Sequence, residues 1–303
     1  MYKAFNEKLQ CRGFQFEIGK EYEIEGELKI CENGFHCCEK IQDCFEYYPI
    51  DSRICEVETD DVITEGKKSA TNKIRIVREL SREDIMDKIT DSKWAYRWAR
   101  NIGNEEIMID RIADSEYAYL WASYIGDREV MIDRITDSKY AYYLARNIGN
   151  REVMIDRITD SEYAYYWAWD IGDREIMIDR VTDSKYAYYW AGNIGNREVM
   201  IDRVTDSKYV YYWATDIGDR EIMIDRITDS EYAYWWAGNI GNREVMIDRV
   251  TDSEYAYYWA RYIGDREIMI DRITDSKYAY CWAKDIGDRE VMTKRFPELL
   301  NYF

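Results

Sequence analysis

From residue 90 to residue 296 one phrase of apolar and polar positions returns every 23 residues, without an insertion. Thr90, Ala113, Thr136, Thr159 and so on to Thr274 open nine copies. The copy over 182–204 reads TDSKYAYYWAGNIGNREVMIDRV. In the copy before it, Ala164, Trp167, Ala168 and Ile171 stand at i, i+3, i+4 and i+7, one stripe of a helix. Thr159-Asp160-Ser161-Glu162 spells a capping box ahead of that stripe. Gly172 stands where a left-handed residue ends a helix. Asp173 is then expected to cap a second helix over 174–181, with Ile176, Met177, Ile178 and Val181 as its apolar surface. The unit predicted is helix, glycine turn, helix.

Helices this short are marginal alone and must bury their stripes on the next copy. The pattern therefore predicts an all-α solenoid of nine helix-turn-helix repeats over 90–296. At about 9–10 Å per helical layer, such an array would extend on the order of 80–90 Å. Residues 297–303, opening on Pro297, are expected to be a C-terminal cap.

Residues 1–80 lack the phrase. Runs such as Arg53-Ile54-Cys55-Glu56-Val57-Glu58 and Lys73-Ile74-Arg75-Ile76-Val77 alternate with period two and predict strands. Gly13, Gly19, Gly26 and Gly34 mark turns, and a helix is expected over 40–47, ended by Pro49. The region reads as a small α+β head. Residues 81–89 read as a capped junction half-repeat.

Charge refines this picture. The chain has 303 residues and a net charge of −18, the wrong sign for direct contact with nucleic acid or an anionic membrane. No run approaches the ~18 apolar residues of a transmembrane helix. Aromatic residues make up 16% of the chain, far too many for a disordered acidic tail. Six of the seven cysteines precede residue 56, which favours reduced thiols and a cytosolic setting over a disulfide scaffold. The turn alternates between Ile-Gly-Asn (Asn104, Asn150, Asn196, Asn242) and Ile-Gly-Asp (Asp127, Asp173, Asp219, Asp265), until Asp288 breaks the beat. Acidity is banded accordingly: residues 159–181 carry six acids and two arginines, residues 182–204 three acids and three bases.

Three ladders carry the candidate binding chemistry. The tryptophans from Trp98 to Trp282, with Leu144 once in their place, lie on the stripe and are expected in the core. Tyr143, Tyr166, Tyr189, Tyr212, Trp235 and Tyr258 lie roughly 160° round the helix from that stripe. They are expected to form an aromatic face for a protein partner, since Tyr and Trp are common interface anchors. Asp127, Asp170, Asp173, Asp216, Asp219 and Asp265 form the acidic bands of the same surface. Pairs such as Asp179-Arg180 and Asp202-Arg203 are expected to link successive copies, each exposed pair contributing only ~0–1 kcal/mol.

Catalytic and metal chemistry is sparse. The array has no histidine and one cysteine, Cys281. In the head, His36 with Cys11, Cys31, Cys44 and Cys55 has the residue types of a zinc site but not paired CxxC spacing. Neither a metal nor a cofactor is expected.

Lys3-Ala4-Phe5-Asn6, Cys11-Arg12-Gly13-Phe14-Gln15-Phe16, Gly34-Phe35-His36, Cys38-Glu39 and Tyr47-Tyr48-Pro49 resemble a small domain of unknown function found in phage and prophage proteins. The repeats resemble short two-helix repeats of phage and bacterial solenoids. The resemblance implies a phage or mobile-element protein acting in the bacterial cytosol. It further implies a non-enzymatic inhibitor, anti-CRISPR-like, whose partner is a host defence protein such as a nuclease effector. Two alternatives remain. Gly34-Phe35-His36, Tyr47-Tyr48, Glu56 and Glu58 resemble parts of an ADP-ribosyltransferase site, which would make the head an enzyme that the repeats target. The array is otherwise a self-assembling structural element.

Overall fold

The period-two runs of the head become strands because one side of each can be buried. In order they are β1 (Tyr2–Phe5), β2 (Gln10–Cys11), β3 (Phe14–Gln15), β4 (Glu21–Glu23), β5 (Phe35–Cys37), β6 (Arg53–Thr59), β7 (Val62–Glu65), β8 (Lys68–Thr71) and β9 (Lys73–Glu79). An antiparallel sheet runs β1-β6-β9-β4, a second runs β5-β8-β7, and β2-β3 is a separate hairpin. Ile74 and Ile76 of β9 point inward and Arg75 outward, as alternation requires. They meet Phe5, Leu9, Phe16 and Val57 in the head's core. The described residues are 1–303 of a computed structural model, and they divide into two compact units, Met1–Ile158 and Thr159–Phe303.

The helix expected over 40–47 is only four residues long, α1 (Ile41–Cys44). Lys40 at its N-cap offers no side-chain acceptor, and turns carry the chain on to Pro49. Phe45 is thereby freed to pack its ring against Trp94 and Trp98 of the first repeat, at 5.5 and 6.4 Å. The junction helix α2 (Arg82–Lys88) is capped as its sequence suggests. Ser81 Oγ accepts from the Asp84 amide at 3.0 Å, and the Asp84 carboxylate accepts from the Ser81 amide at 3.1 Å.

Each repeat opens on a ten-residue helix, Ser184–Asn193 being typical. The cap is the aspartate: Asp183 accepts from the amides of Lys185 and Tyr186 at 2.9 and 3.3 Å. In the copy where a capping box led by Thr159 was expected, Asp160 holds the N-cap and accepts from Tyr163 at 2.9 Å. The helix closes where Ile194 and Gly195 both donate to the Trp190 carbonyl, at 2.8 and 2.9 Å. Gly195 (φ 120°) and Asn196 (φ 53°) are then both left-handed, which glycine and asparagine tolerate best. Asp173 holds the same left-handed place and makes no side-chain cap, contrary to expectation. The second helix is a single α-turn, Arg174–Met177, tightening into a 3₁₀ turn over Ile178–Arg180. It does not reach Val181, which is extended and buries its side chain.

Trp190, Ala187, Ala191, Met200 and Val204 make the buried set of one copy, so the tryptophan ladder is core as expected. Neighbouring copies within each unit are tied by polar groups. Ser184 Oγ donates to the Arg203 carbonyl (3.2 Å) and accepts from the amides of Thr205 (3.0 Å) and Asp206 (3.2 Å) of the next copy. Arg203 reaches back to donate to the carbonyls of Val181 (2.7 Å) and Ile178, and its guanidinium lies 3.5 Å from Asp179.

Candidate functional site

The aromatic ladder stands between surface and core. Tyr189 and Tyr212 are 36% exposed and Trp235 is 44% exposed, whereas Tyr143, Tyr166 and Tyr258 are half-buried. The rings lean on tyrosines of their own and adjacent copies. Tyr188 sits 5.4 Å from Tyr189, 6.1 Å from Tyr209 and 6.2 Å from Tyr212. Much of each ring is therefore spent on the neighbouring layer.

The acidic turns have structural partners as well. Asp173, Asp219 and Asp265 accept from the indole N–H of Trp167, Trp213 and Trp259 at 3.0–3.1 Å. Asp216 accepts from the Tyr188 hydroxyl of the preceding copy at 2.5 Å. Asp127 and Asp170, like the other four, remain solvent-exposed. Where the turn carries Asn104, Asn196 or Asn242, the indole N–H of Trp98, Trp190 or Trp236 is buried without a partner, and so is that of Trp121 beside Asp127. An unmet buried donor costs about 1–3 kcal/mol. Asn196→Asp is accordingly expected to stabilise the array by about 1 kcal/mol, and Asp173→Asn to destabilise it by a similar amount. Thermal unfolding of the two variants checks this, and opposite or equal shifts would exclude the aspartate as the indole's acceptor.

The most regular exposed apolar feature lies on the second helix of each copy. Ile176, expected on the apolar surface of the second helix, is 48% exposed. It belongs to a ladder with Ile107, Val130, Val153, Val199, Ile222, Val245, Ile268 and Val291, all 42–50% exposed. The buried member of each copy is the methionine that follows, and Ile178 is only half-buried. Each ladder residue is preceded by an exposed glutamate in the copies of the second unit, Glu175, Glu198, Glu221, Glu244, Glu267 and Glu290. Shallow grooves of about 550 and 500 Å³ open here, one along Ile171, Asp173, Glu175 and Ile176, the other along Ile217, Asp219, Glu221 and Ile222.

In the head, His36 accepts the Cys31 amide at Nε2 (2.8 Å). Burial, then the charges of Lys3, Arg12 and Lys68, hold its pKa below the ordinary histidine range. All seven cysteines are free thiols. Burial pushes Cys37 up to about 11 and Cys55 up to about 12, while a hydrogen bond from Cys44 lowers Cys38. No three His, Cys, Asp or Glu side chains are grouped to hold a metal ion. Glu56 pairs with Arg78 at 3.0 Å and Glu58 with Arg75 at 3.4 Å, on β6 of the four-stranded sheet. His36 lies on β5 of the other sheet and lines one cavity with Gly34, Phe35, Tyr47 and Tyr48, a cavity that Glu56 and Glu58 do not line.

Together these features define a strand-rich N-terminal region followed by nine tandem helix-turn-helix units. Residues 1–88 match the family model described as "Domain of unknown function (DUF7666)". No curated protein and no solved structure matches the chain. No helix is long and apolar enough to cross a membrane.

Proposed function

We propose that the repeats bind another protein non-enzymatically, along the exposed Ile/Val ladder and the carboxylates beside it. One exposed isoleucine is unremarkable on any surface. Nine copies exposing a β-branched residue at the same position, 42–50% in every case, is the observation that carries the reading. The neighbouring glutamates and turn aspartates set the partner's chemistry: a basic surface with apolar side chains among its cations. The half-exposed tyrosines are a secondary face, suited to cation–π contact with the same kind of partner. A nucleic-acid-binding enzyme presents such a basic groove, so an inhibitor of a host nuclease is the narrower form of this proposal.

The test uses the full chain as bait beside the triple variant Val199→Lys, Ile222→Lys, Val245→Lys. All three side chains are solvent-exposed, so circular dichroism is expected to be unchanged. A stoichiometric partner held by the parent chain in a salt-sensitive complex is expected to bind the variant at least a hundredfold more weakly, about 3 kcal/mol spread over three anchors. Equal binding by both baits overturns the reading. If instead Tyr189→Ala with Tyr212→Ala alone abolishes binding, the aromatic face is the site and the Ile/Val ladder is not.

A further inference from the structure

The head contains a cavity of about 670 Å³, within the range of small-molecule sites, that the repeats do not help to form. Its charge is opposite to that of the chain. Lys3, Arg12 and Lys68 line it, and Glu23 is its one carboxylate. Several other head cations are matched: Arg53 with Glu79, Arg75 with Glu58, Arg78 with Glu56, and Lys67 with Asp43 and Glu46. None of the three cavity cations forms an ion pair with a carboxylate of the chain.

Lys3 is the strongest of these observations. It is 3% exposed, and lysine is almost never buried so deeply unless paired. Its ammonium donates to the His36 carbonyl at 2.7 Å, lies 3.6 Å from Cys11 Sγ and stands 5.5–5.6 Å over the Phe5 and Phe16 rings, all of them neutral partners. A buried charge left this way is costly unless an anion completes it. Lys68 rests 4.1 Å from the Tyr47 ring and 3.4 Å from Cys31 Sγ. Arg12 lies at the turn of the β2-β3 hairpin with φ 48°, followed by Gly13 at φ 81°. Such a two-residue turn favours Asn-Gly, so arginine there carries a cost in backbone strain; it lines the cavity with its guanidinium donating to the Cys31 carbonyl at 3.3 Å.

The walls are aromatic. Phe14 is 49% exposed and is braced edge-on by Phe16 (4.8 Å) and Tyr22 (5.5 Å), while Tyr47 is also exposed. Phe14, held by edge contacts, keeps a face for a planar guest, and the Tyr47 ring is exposed with Lys68 over one of its faces.

From these two halves we infer that the head cavity binds a nucleoside phosphate, with Lys3, Arg12 and Lys68 on the phosphates and Phe14 and Tyr47 against the base. The site is independent of partner binding by the repeats. Isothermal titration of the full chain with ADP, GDP, CDP and UDP is the test, with pyrophosphate and adenosine as the half-ligands. At least one nucleotide is expected to bind in the micromolar range, and each half-ligand at least tenfold more weakly, about 1.4 kcal/mol. Arg12→Gln and Lys68→Gln are each expected to weaken that nucleotide about tenfold, the loss of one charged hydrogen bond. Lys3→Met is expected to weaken it further, and the two other variants decide the matter if it does not fold. Absence of binding by all four nucleotides at millimolar concentration overturns the inference. So does nucleotide affinity unchanged in Arg12→Gln and Lys68→Gln, or pyrophosphate bound as tightly as the nucleotide.

Discussion

Raising the pH past about 10 is expected to unfold the repeats cooperatively, with tyrosine ionisation and helix loss tracking each other. Burial is the largest cause holding the hydroxyls of Tyr140, Tyr186, Tyr188 and Tyr255 above the ordinary tyrosine range, and it pushes Tyr232 and Tyr257 up to about 12. Carboxylates of neighbouring copies add to it: Glu116 accepts from Tyr140, Glu162 from Tyr186, Glu231 from Tyr255, Asp216 from Tyr188 and Asp285 from Tyr257. An unfolded tyrosine loses its proton near pH 10. Between that pH and the raised folded value the native state holds more protons than the unfolded one, so stability falls as pH rises. The stabilisation is fully present below about pH 10 and is lost on the way to 12 and beyond. Because the same positions recur from copy to copy, the losses add. Tyrosinate absorbance and far-UV circular dichroism followed against pH are expected to share one midpoint above 10, after a flat baseline through neutrality. Tyrosines that titrate near pH 10 with helicity intact would show that the rings are more open to water than their packing indicates.

Much of this architecture was legible because repetition multiplies weak signals. A glycine at φ +120° or more in one turn is a guess from sequence; at Gly172, Gly195, Gly218 and Gly241 in the same phase it becomes a rule. The Trp stripe was legible for the same reason, and its members are buried in every copy. The second helix was not, because Arg174–Met177 is one turn long and a 3.6-residue period cannot be phased over four residues. Ile176 and Met177 are both apolar neighbours, and only packing against the Trp layer decides that Met177 goes in and Ile176 out. In the head, strands β6 and β9 were marked by alternation, but the cavity joins Lys3, Arg12 and Lys68 from three separate strands and turns. No local pattern announces such a meeting. In the sequence Asp and Arg look like matched ion pairs, whereas the structure makes them unequal partners.

That inequality gives the largest single-residue effect expected in the array. Arg226 donates through Nη1 to the carbonyls of Val204 (3.1 Å) and Ile201 in the preceding copy, and through Nη2 to Asp202 at 3.0 Å. The Ile201 carbonyl otherwise accepts only a long bond from the Val204 amide, at 3.4 Å, and the Val204 carbonyl lies just past the 3₁₀ turn, where no helical N–H follows to satisfy it. Asp202 is 81% exposed and loses little by returning to water. Arg226→Ala leaves the Val204 carbonyl without a donor and Ile201 with only its long backbone bond, at a part-buried junction, and is expected to cost about 2–3 kcal/mol. Asp202→Ala is expected to cost no more than about 1 kcal/mol, since it removes only the screened pair. Arg226→Lys falls between, because a point charge cannot reach two carbonyls and a carboxylate as a planar fork does. Chemical denaturation ranks the three variants, and faster hydrogen exchange confined to Ile201–Val204 and the copy that follows would mark the junction as the place that opens. Equal losses for Arg226→Ala and Asp202→Ala would return the arginine to an ordinary ion-pair role. The ranking expected here makes it a clamp on the backbone of the neighbouring repeat, with the aspartate as its guide.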